Sequence, residues 1–317
     1  MYGQLGSFQL AAQASLGTFN VSSLRAIPIV SENVKLSIDQ LQEKGLYGRF
    51  AEAPRYNGKR SVAGKTDFEP FPSGLGAMLY AACGQVNTVS SGGMQCHKFR
   101  PLNTADWDPS AALPPISALI HRDVGSAMLY FDLQANMLTL DCANGELLKG
   151  SIDWVGGQYA DNANVTASAP NETAWTWNQS SVSYDGAGLG NVRRFGIKLD
   201  NKIAAEFLIG NSVYPSMYKR TGAVEVSGDI TLLFSSNSLM ADFLNQPGKQ
   251  LAIHFLSSVS SPAALRIDIP NLRIKDYGPA ISGPGLLELP LSWVADFAAS
   301  SGYQLEFTLV NTTPAYP

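Results

Sequence analysis

The sequence predicts a mainly β protein built from two tandem-duplicated domains, each with one short flanking helix. Three observations carry that expectation. Candidate strands alternate apolar and polar residues with a period of two. A stretch punctuated by glycines recurs 164 residues later, pairing Gly58 with Gly222, Gly64 with Gly228 and Gly84 with Gly248. Helix-like patterns are confined to one short run in each half. Composition points the same way, because only 15% of residues are charged against roughly 25% in typical soluble domains. A chain with so few charges buries much of its surface or covers it with partners. A net charge of −4 and pI near 5.4 exclude the basic footprint of a nucleic-acid-gripping protein.

The first copy opens with the strand candidate Val34-Lys35-Leu36, which lines up with Ile197-Lys198-Leu199. A long polar and aromatic loop follows each. The central strands come next: NGKRSVAGKTDFEP in the first copy and RTGAVEVSGDITLLF in the second. Val62 pairs with Val226 and Phe68 with Leu232. Each then leads into a short helix. In the first, Ser73 is the expected N-cap, Gly74 to Cys83 the body and Gly84 the stop. In the second, Ser236 or Ser238 caps, Leu239 to Leu244 forms the body, and Pro247-Gly248 ends it. Downstream, LLKGSIDWV resembles LELPLSWV and shares Trp154 with Trp293. Further strand candidates are Met128 to Leu133, Leu251 to Phe255, Leu265 to Ile269 and Leu305 to Val310. The expected division is residues 1–160, a polar seam at 161–185 interrupted by Trp175 and Trp177, and residues 186–317.

GKRSVAGKT, Gly58 to Thr66, carries the Gly-Lys-Thr ending of a phosphate-binding loop. Five residues separate Gly58 from Gly64, whereas that loop needs four. It also needs a helix directly after the lysine, so that its amide groups face the phosphates. Here Asp67-Phe68-Glu69-Pro70-Phe71-Pro72 follows, and its two prolines forbid a regular helix. The second copy reads Asp229-Ile230 where the first reads Lys65-Thr66, and an aspartate would repel phosphate. The letters belong to a strand.

Other chemistry is sparse. His97, His121 and His254 are isolated from one another. Cys96 and His97 are adjacent, so on a strand they point to opposite faces and do not share a metal. Cys83, Cys96 and Cys142 form an odd, widely spaced set that reads as reduced thiols. Asp106-Trp107-Asp108 has the residue types of a metal-binding pair but precedes Pro109 in a turn-rich stretch. No Gly-x-Ser-x-Gly elbow occurs. The N-terminus lacks a signal-peptide pattern, and no run of about eighteen apolar residues offers a membrane-spanning helix. No cofactor is expected.

The order of IPIVSENVKLSIDQLQEKGLYGRF, GKRSVAGKTDFEPFPSGLGAMLYAACG, the segment His97 to Pro101, LLKGSIDWVGG, VSGDITLLF and LEFTLVN resembles the tail tube (major tail) proteins of bacteriophages with long flexible tails, the siphovirus type. The resemblance covers essentially the whole chain and rests on ordered pattern. It implies that each duplicated domain is a β-sandwich or half-barrel with its flanking helix. It further implies that six such domains complete a ring, and that stacked rings enclose a lumen through which genomic DNA passes at ejection. A chain with two such domains would close the ring as a homotrimer. The resemblance implies a structural role without enzymatic activity and a place in the virion tail after synthesis in the host bacterial cytoplasm. The partners it implies are the tape measure protein and the tail terminator, with only transient, non-sticking contact to DNA and none to membrane.

Two sets of candidate site residues follow. On the central strands, Lys65, Asp67, Glu69, Glu225, Asp229 and Thr231 share the polar face and are the lumen-lining candidates. Four carboxylates against one lysine would make a mildly negative wall that repels phosphate; an ordinary solvent-facing surface is the alternative. The loops Gln42 to Asn57 and Gly210 to Arg220 carry Tyr47, Arg49, Phe50, Arg55 and Tyr56, then Tyr214, Met217, Tyr218, Lys219 and Arg220. These residue types are enriched in interface cores, which makes them candidates for contacts between subunits and rings; a loop folded back on its own domain is the alternative. The competing functional classes are a β-sandwich that binds or hydrolyses glycans, and another virion part such as a capsid decoration or tail-end protein.

Overall fold

A computed structural model describes residues 6–21, 23–48, 50–102, 113–123, 125–162, 172–210, 212–256, 263–279 and 286–316. In the first half, β1 (Ser7–Ala12), β2 (Arg25–Ala26), β3 (Ile29–Glu32), β4 (Lys35–Gln42) and β5 (Arg55–Phe68) precede helix α1 (Leu75–Cys83). A hairpin, β6 (Gly84–Ser91) and β7 (Met94–Pro101), follows, and β8 (Ile116–His121), β9 (Ala127–Ala143) and β10 (Lys149–Asn162) complete it. The second half contains β11 (Ser180–Tyr184), β12 (Ala187–Gly188), β13 (Val192–Asp200), β14 (Ile203–Glu206), β15 (Met217–Arg220) and β16 (Glu225–Leu233). Helix α2 (Met240–Asn245) leads to β17 (Lys249–Leu256), β18 (Ala264–Tyr277), β19 (Glu288–Ala295) and β20 (Glu306–Asn311). The protein is mainly β, as expected, and the strand candidates fall on strands, with Val34 and Leu305 one residue outside β4 and β20.

Every strand pairing is antiparallel. Neighbour by neighbour, one sheet runs β4–β5–β10–β9 through the first half. It continues β13–β16–β19–β18 through the second, and β9 pairs with β13 at the junction. A second layer runs β6–β7–β20–β18–β17–β11, while β1 and β8 extend the first half from the other end of β9. Long strands serve both layers: the first part of β9 pairs with β8 and its last part with β13. Asp132 marks that bend, with φ of 60°. Its buried carboxylate accepts hydrogen bonds from Gln13 Nε2, the Gly17 amide and Gln158 Nε2 at 2.8–2.9 Å.

Alternation explains the core. On β5, Val62, Thr66 and Phe68 are buried, while Ala63 and Lys65 are exposed. On β16, Val226, Ile230 and Leu232 are buried. Opposite β5, Ile152 and Trp154 of β10 turn inward; opposite β16, Leu291 and Trp293 of β19 do the same. Trp154 lies across from Gly64 and Trp293 across from Gly228. Both glycines are sterically required. A Cβ at Gly64 would lie 2.7 Å from the Asn33 carbonyl oxygen, and one at Gly228 would lie 2.1 Å from that of Gly196. The layers meet through contacts such as Phe195 on β13 against Phe255 on β17, with ring centroids 5.9 Å apart.

The helices lie where the sequence puts them, but their caps differ. Helix α1 starts after Gly74, and no side chain caps it. Ser73 is engaged elsewhere: its amide donates to Glu172 Oε2 and its carbonyl accepts from the Tyr316 hydroxyl, both at 2.9 Å. Gly84 ends the helix as expected, in the left-handed conformation with φ of 76°. Helix α2 starts after Leu239 rather than after Ser236 or Ser238, whose hydroxyls bond each other. Its last residue is followed by Gln246, left-handed at φ of 48°. The two helices differ sharply in burial. Leu75, Met78, Leu79, Ala81, Ala82 and Cys83 of α1 are all buried, whereas no residue of α2 is.

The chain's end returns to the first half. Strand β20 joins β7, and Tyr316 packs its ring so close to Gly76 that a Cβ there would fall 2.0 Å from Tyr316 Cζ. Of the two tryptophans in the stretch 161–185, Trp175 is buried against Phe255 and Trp177 is exposed.

Candidate functional site

The side of the β5–β10–β9–β13–β16–β19 sheet facing away from the core is largely polar, with Ala63, Met137, Val155 and Val294 interspersed among its charged and hydroxyl side chains. Lys65 and Asp67 sit on it 2.8 Å apart, with Asp153 directly opposite Lys65. Burial works against ionisation at Asp67, but the Lys65 ammonium and the Ser31 hydroxyl outweigh it and hold the carboxyl below its ordinary value. Glu225 is held below its ordinary value by Lys202, 2.6 Å away. Asp229 and Thr231 lie on the same side of β16, opposite Gly196 and Arg194 of β13. Glu69 is half-buried just past the end of β5.

The registers bring further charges to this face that the central strands alone did not disclose. Arg194 pairs with Asp141 at 2.7 Å, and Lys198 lies 3.8 Å from Asp200. The Arg194 guanidinium is raised further by its bond to Asp141 and by the nearby charge of Asp229. The face therefore mixes signs: the expected group of four carboxylates and one lysine is joined by Asp141, Asp153, Asp200, Arg194 and Lys198. Strand β13 already carried these alternating charges in its sequence, VRRFGIKLD. Its place beside β9 and β16 was the missing information.

The expected loops project from one end of this sheet. The first is a hairpin extension in which β4 and β5 pair out to Gln42 and Arg55. Leu46 and Phe50 at its tip are fully exposed, and Tyr47 and Tyr56 are about half exposed. Tyr47 and Tyr56 both donate to the Glu43 carboxylate, and Arg55 pairs with Glu52 at 2.6 Å. Arg49 lies outside the described residues. The second arm is the β14–β15 hairpin, with Ile209 fully exposed at its tip. The two arms touch: the Arg60 amide donates to the Val213 carbonyl at 2.7 Å, and Lys59 sits over the Phe207 ring.

Not all named arm residues face outward. Tyr214 and Met217 are half-buried and Lys219 is exposed. Tyr218 is only 5% exposed. Its hydroxyl accepts the Gly157 amide at 2.8 Å, and burial pushes its pKa up to about 12. Arg220 reaches inward to the Leu102 carbonyl at 2.7 Å, with burial lowering its pKa. Tyr218 and Arg220 anchor the arm to its own chain. Alternation hid this, because the hairpin's inner face packs on Gly156 and Gly157 of β10, far away in sequence.

Among the described residues no group of three His, Cys, Asp or Glu is placed to hold a metal ion. Asp106, Trp107 and Asp108 lie outside them. Cys83 and Cys142 are free and buried, and burial pushes the Cys142 thiol up to about 11. His97 is fully buried in β7 between Thr88, Asn311 and the Thr313 carbonyl. Both Nε2 contacts are acceptors or carbonyl oxygens, so Nε2 carries the proton and Nδ1 accepts from Thr88. The ring is a structural pin for the C-terminal segment. No described helix is long and apolar enough to cross a membrane.

The fold is thus a layered antiparallel β protein with a broad, largely polar sheet face and projecting arms that expose Leu46, Phe50 and Ile209. The chain matches the family model of the phage tail tube protein over residues 3–295, and it belongs to that family. The family is one of structural virion-tail components that assemble into a tube. Comparison with curated proteins gives no match.

Proposed function

We propose that this chain builds the tail tube as rings of three copies, each copy supplying two tube domains, and that the stacked rings enclose the lumen crossed by DNA. The observation that carries this reading is the strand order. The path β4–β5–β10–β9 in the first half has the same form as β13–β16–β19–β18 in the second, and β9 joins β13 as a ready-made seam. Even the irregularities agree. The β9–β10 ladder skips Asn136 beside Trp154, and the β18–β19 ladder skips Lys275 beside Trp293. Among the described residues, the last turn of the path leaves β4 and the end of β18 without a partner on one side. An unpaired edge is a template for another strand, and closing a ring removes both edges at once.

In this reading the mixed polar face lines the lumen. Paired charges present no cluster of free cations to phosphate, so the counterion release that makes DNA binding tight is weak. The arms carrying Leu46, Phe50 and Ile209 contact the next ring. The chain performs no catalysis, ends its tube against a terminator, encloses the tape measure protein during assembly, and is made in the bacterial cytoplasm. Electron microscopy of the purified protein, with native mass spectrometry of released rings, tests the reading. Rings of three chains with six-fold-like density are expected. Rings of six chains overturn the trimer, and a stable monomer that binds glycan overturns the tube.

A further inference from the structure

The seam between β9 and β13 is locked by Asn201, which has no exposed surface. Its Nδ2 donates to the Ala82 carbonyl in the last turn of α1 at 2.8 Å and to the Ala135 carbonyl at 3.0 Å. Ala135 sits opposite Trp154, immediately before the skipped Asn136. One side chain from the second half thus ties a helix end and a strand bulge of the first half together.

The same site recurs at the far edge of the sheet, and there it is filled from within. Ile274 sits opposite Trp293, immediately before the skipped Lys275. Its carbonyl accepts from Gln246 Nε2 at 2.7 Å, and the same nitrogen reaches the Phe243 carbonyl in the last turn of α2 at 2.6 Å. Gln246 does this from a left-handed backbone, φ of 48°, a conformation uncommon for a residue with a side chain.

The free edge strand β4 carries the counterpart of Asn201. Leu199 lies opposite Val226 and Leu36 opposite Val62; two residues further on stand Asn201 and Ile38. The Ile38 side chain has no donor to offer and is 42% exposed. A neighbour's Ile38 cannot satisfy the Ile274 carbonyl, and with Gln246 in place it does not have to.

We propose that Ile38 of one copy docks beside Gln246 of the next, Gln246 providing from its own chain the two hydrogen bonds that Asn201 provides across the internal seam. This rests on the ring reading above. By analogy with Asp200 opposite Met137 and Leu199 opposite Leu138, the contact sets Ser37 opposite Asp276 and Leu36 opposite Tyr277. It also makes the edge selective. In the folded chain β13 is already paired on both sides, with β9 and β16, and its Asn201 is engaged, so the strand offered to this edge is β4. Strand β4 brings only an aliphatic side chain. Copies therefore add head to tail, and the two seams are not interchangeable.

The test compares wild type, Gln246→Ala, Ile38→Asn and the double variant, scoring the assembled fraction by sedimentation and negative stain and the fold by circular dichroism. Gln246→Ala should lower the association constant roughly tenfold, as expected for a buried carbonyl left unpaired. Adding Ile38→Asn should restore it by recreating the Asn201 contact, while Ile38→Asn alone should weaken assembly. A folding-neutral check uses the exposed pair Ser37→Cys with Asp276→Cys, which should cross-link copies in oxidised tubes. The shifted pair Lys35→Cys with Asp276→Cys should not. Wild-type tubes with unaffected Gln246→Ala, with no rescue, or with the shifted pair cross-linking instead overturn this contact and leave the tube standing. Absence of rings and tubes from every protein, wild type included, overturns both.

Discussion

The indole of Trp293 occupies the space that a side chain at Gly228 would need: a Cβ there would lie 2.4 Å from Trp293 Cζ2 and 2.1 Å from the Gly196 carbonyl oxygen. Gly228→Ala should therefore destabilise the protein by about 1–3 kcal/mol through overpacking. Gly64→Ala should do the same, because the Cβ would meet the backbone of Asn33 and Val34. Urea unfolding monitored by tryptophan fluorescence reads both. Wild-type midpoints would show that the sheet opens freely at these crossings.

The tryptophans opposite Gly64 and Gly228 differ in one respect. Trp154 Nε1 donates to the Thr66 hydroxyl at 3.0 Å, whereas Trp293 Nε1 is buried with no hydrogen-bond partner among the described residues. The residue on β16 in the place of Thr66 is Ile230. At an ordinary apolar site threonine is worse than its isostere valine because its hydroxyl is buried unpaired. At position 230 the order should invert, with Ile230→Thr at least as stable as Ile230→Val. Thermal melts of the two variants decide it.

Stability should fall on mild acidification. Burial lowers the pKa of His97 below its ordinary 6.5, outweighing its bonds to Asn311 and Thr313, and burial does the same at His254. The unfolded chain then binds more protons than the folded one between the depressed values and 6.5, so the stabilisation is complete above about pH 6.5 and is lost as pH falls below it. Denaturation midpoints at pH 7.5 and 5.5 should differ. His97→Gln should shrink the difference.

The proposed lumen lining assigns a testable role to charge. Replacing Asp67, Glu69, Glu225 and Asp229 by lysine should slow DNA ejection, because a cationic wall attracts phosphate, while tubes still form. Ejection kinetics at wild-type rate would remove that face from the lumen.

The arm tips predict a separation of folding from stacking. Phe50 and Ile209 are fully exposed, so Phe50→Ala with Ile209→Ala should leave the melting temperature unchanged and shorten the tubes. Tyr218→Ala should instead lower stability, since Tyr218 packs on Gly156 and accepts the Gly157 amide.

Much of this fold was legible in the letters. The strand period placed Val62, Phe68, Val226 and Leu232 inward and Lys65, Asp67, Glu225 and Asp229 outward, because a pleated strand sends alternate side chains to opposite faces. The recurrence of Gly64 and Gly228 exposed GKRSVAGKT as strand rather than phosphate loop. The helix caps were not legible. A serine near a helix start is a capping residue only when its backbone is free to adopt the cap, and Ser73 is held by Glu172 and Tyr316, 99 and 243 residues away.

By itself, then, the sequence determined what depends on neighbours along the chain: strand periodicity, the inward and outward sets, the left-handed stop at Gly84 and the glycines that allow close crossing. The tertiary structure decided what depends on neighbours in space. Asp153 faces Lys65, Asp141 faces Arg194, Tyr218 turns inward on Gly157, and Asn201 and Gln246 fill matching sites at the two ends of the second half. Register and bulges set these meetings, and in an antiparallel sheet they are fixed only once the whole core has closed.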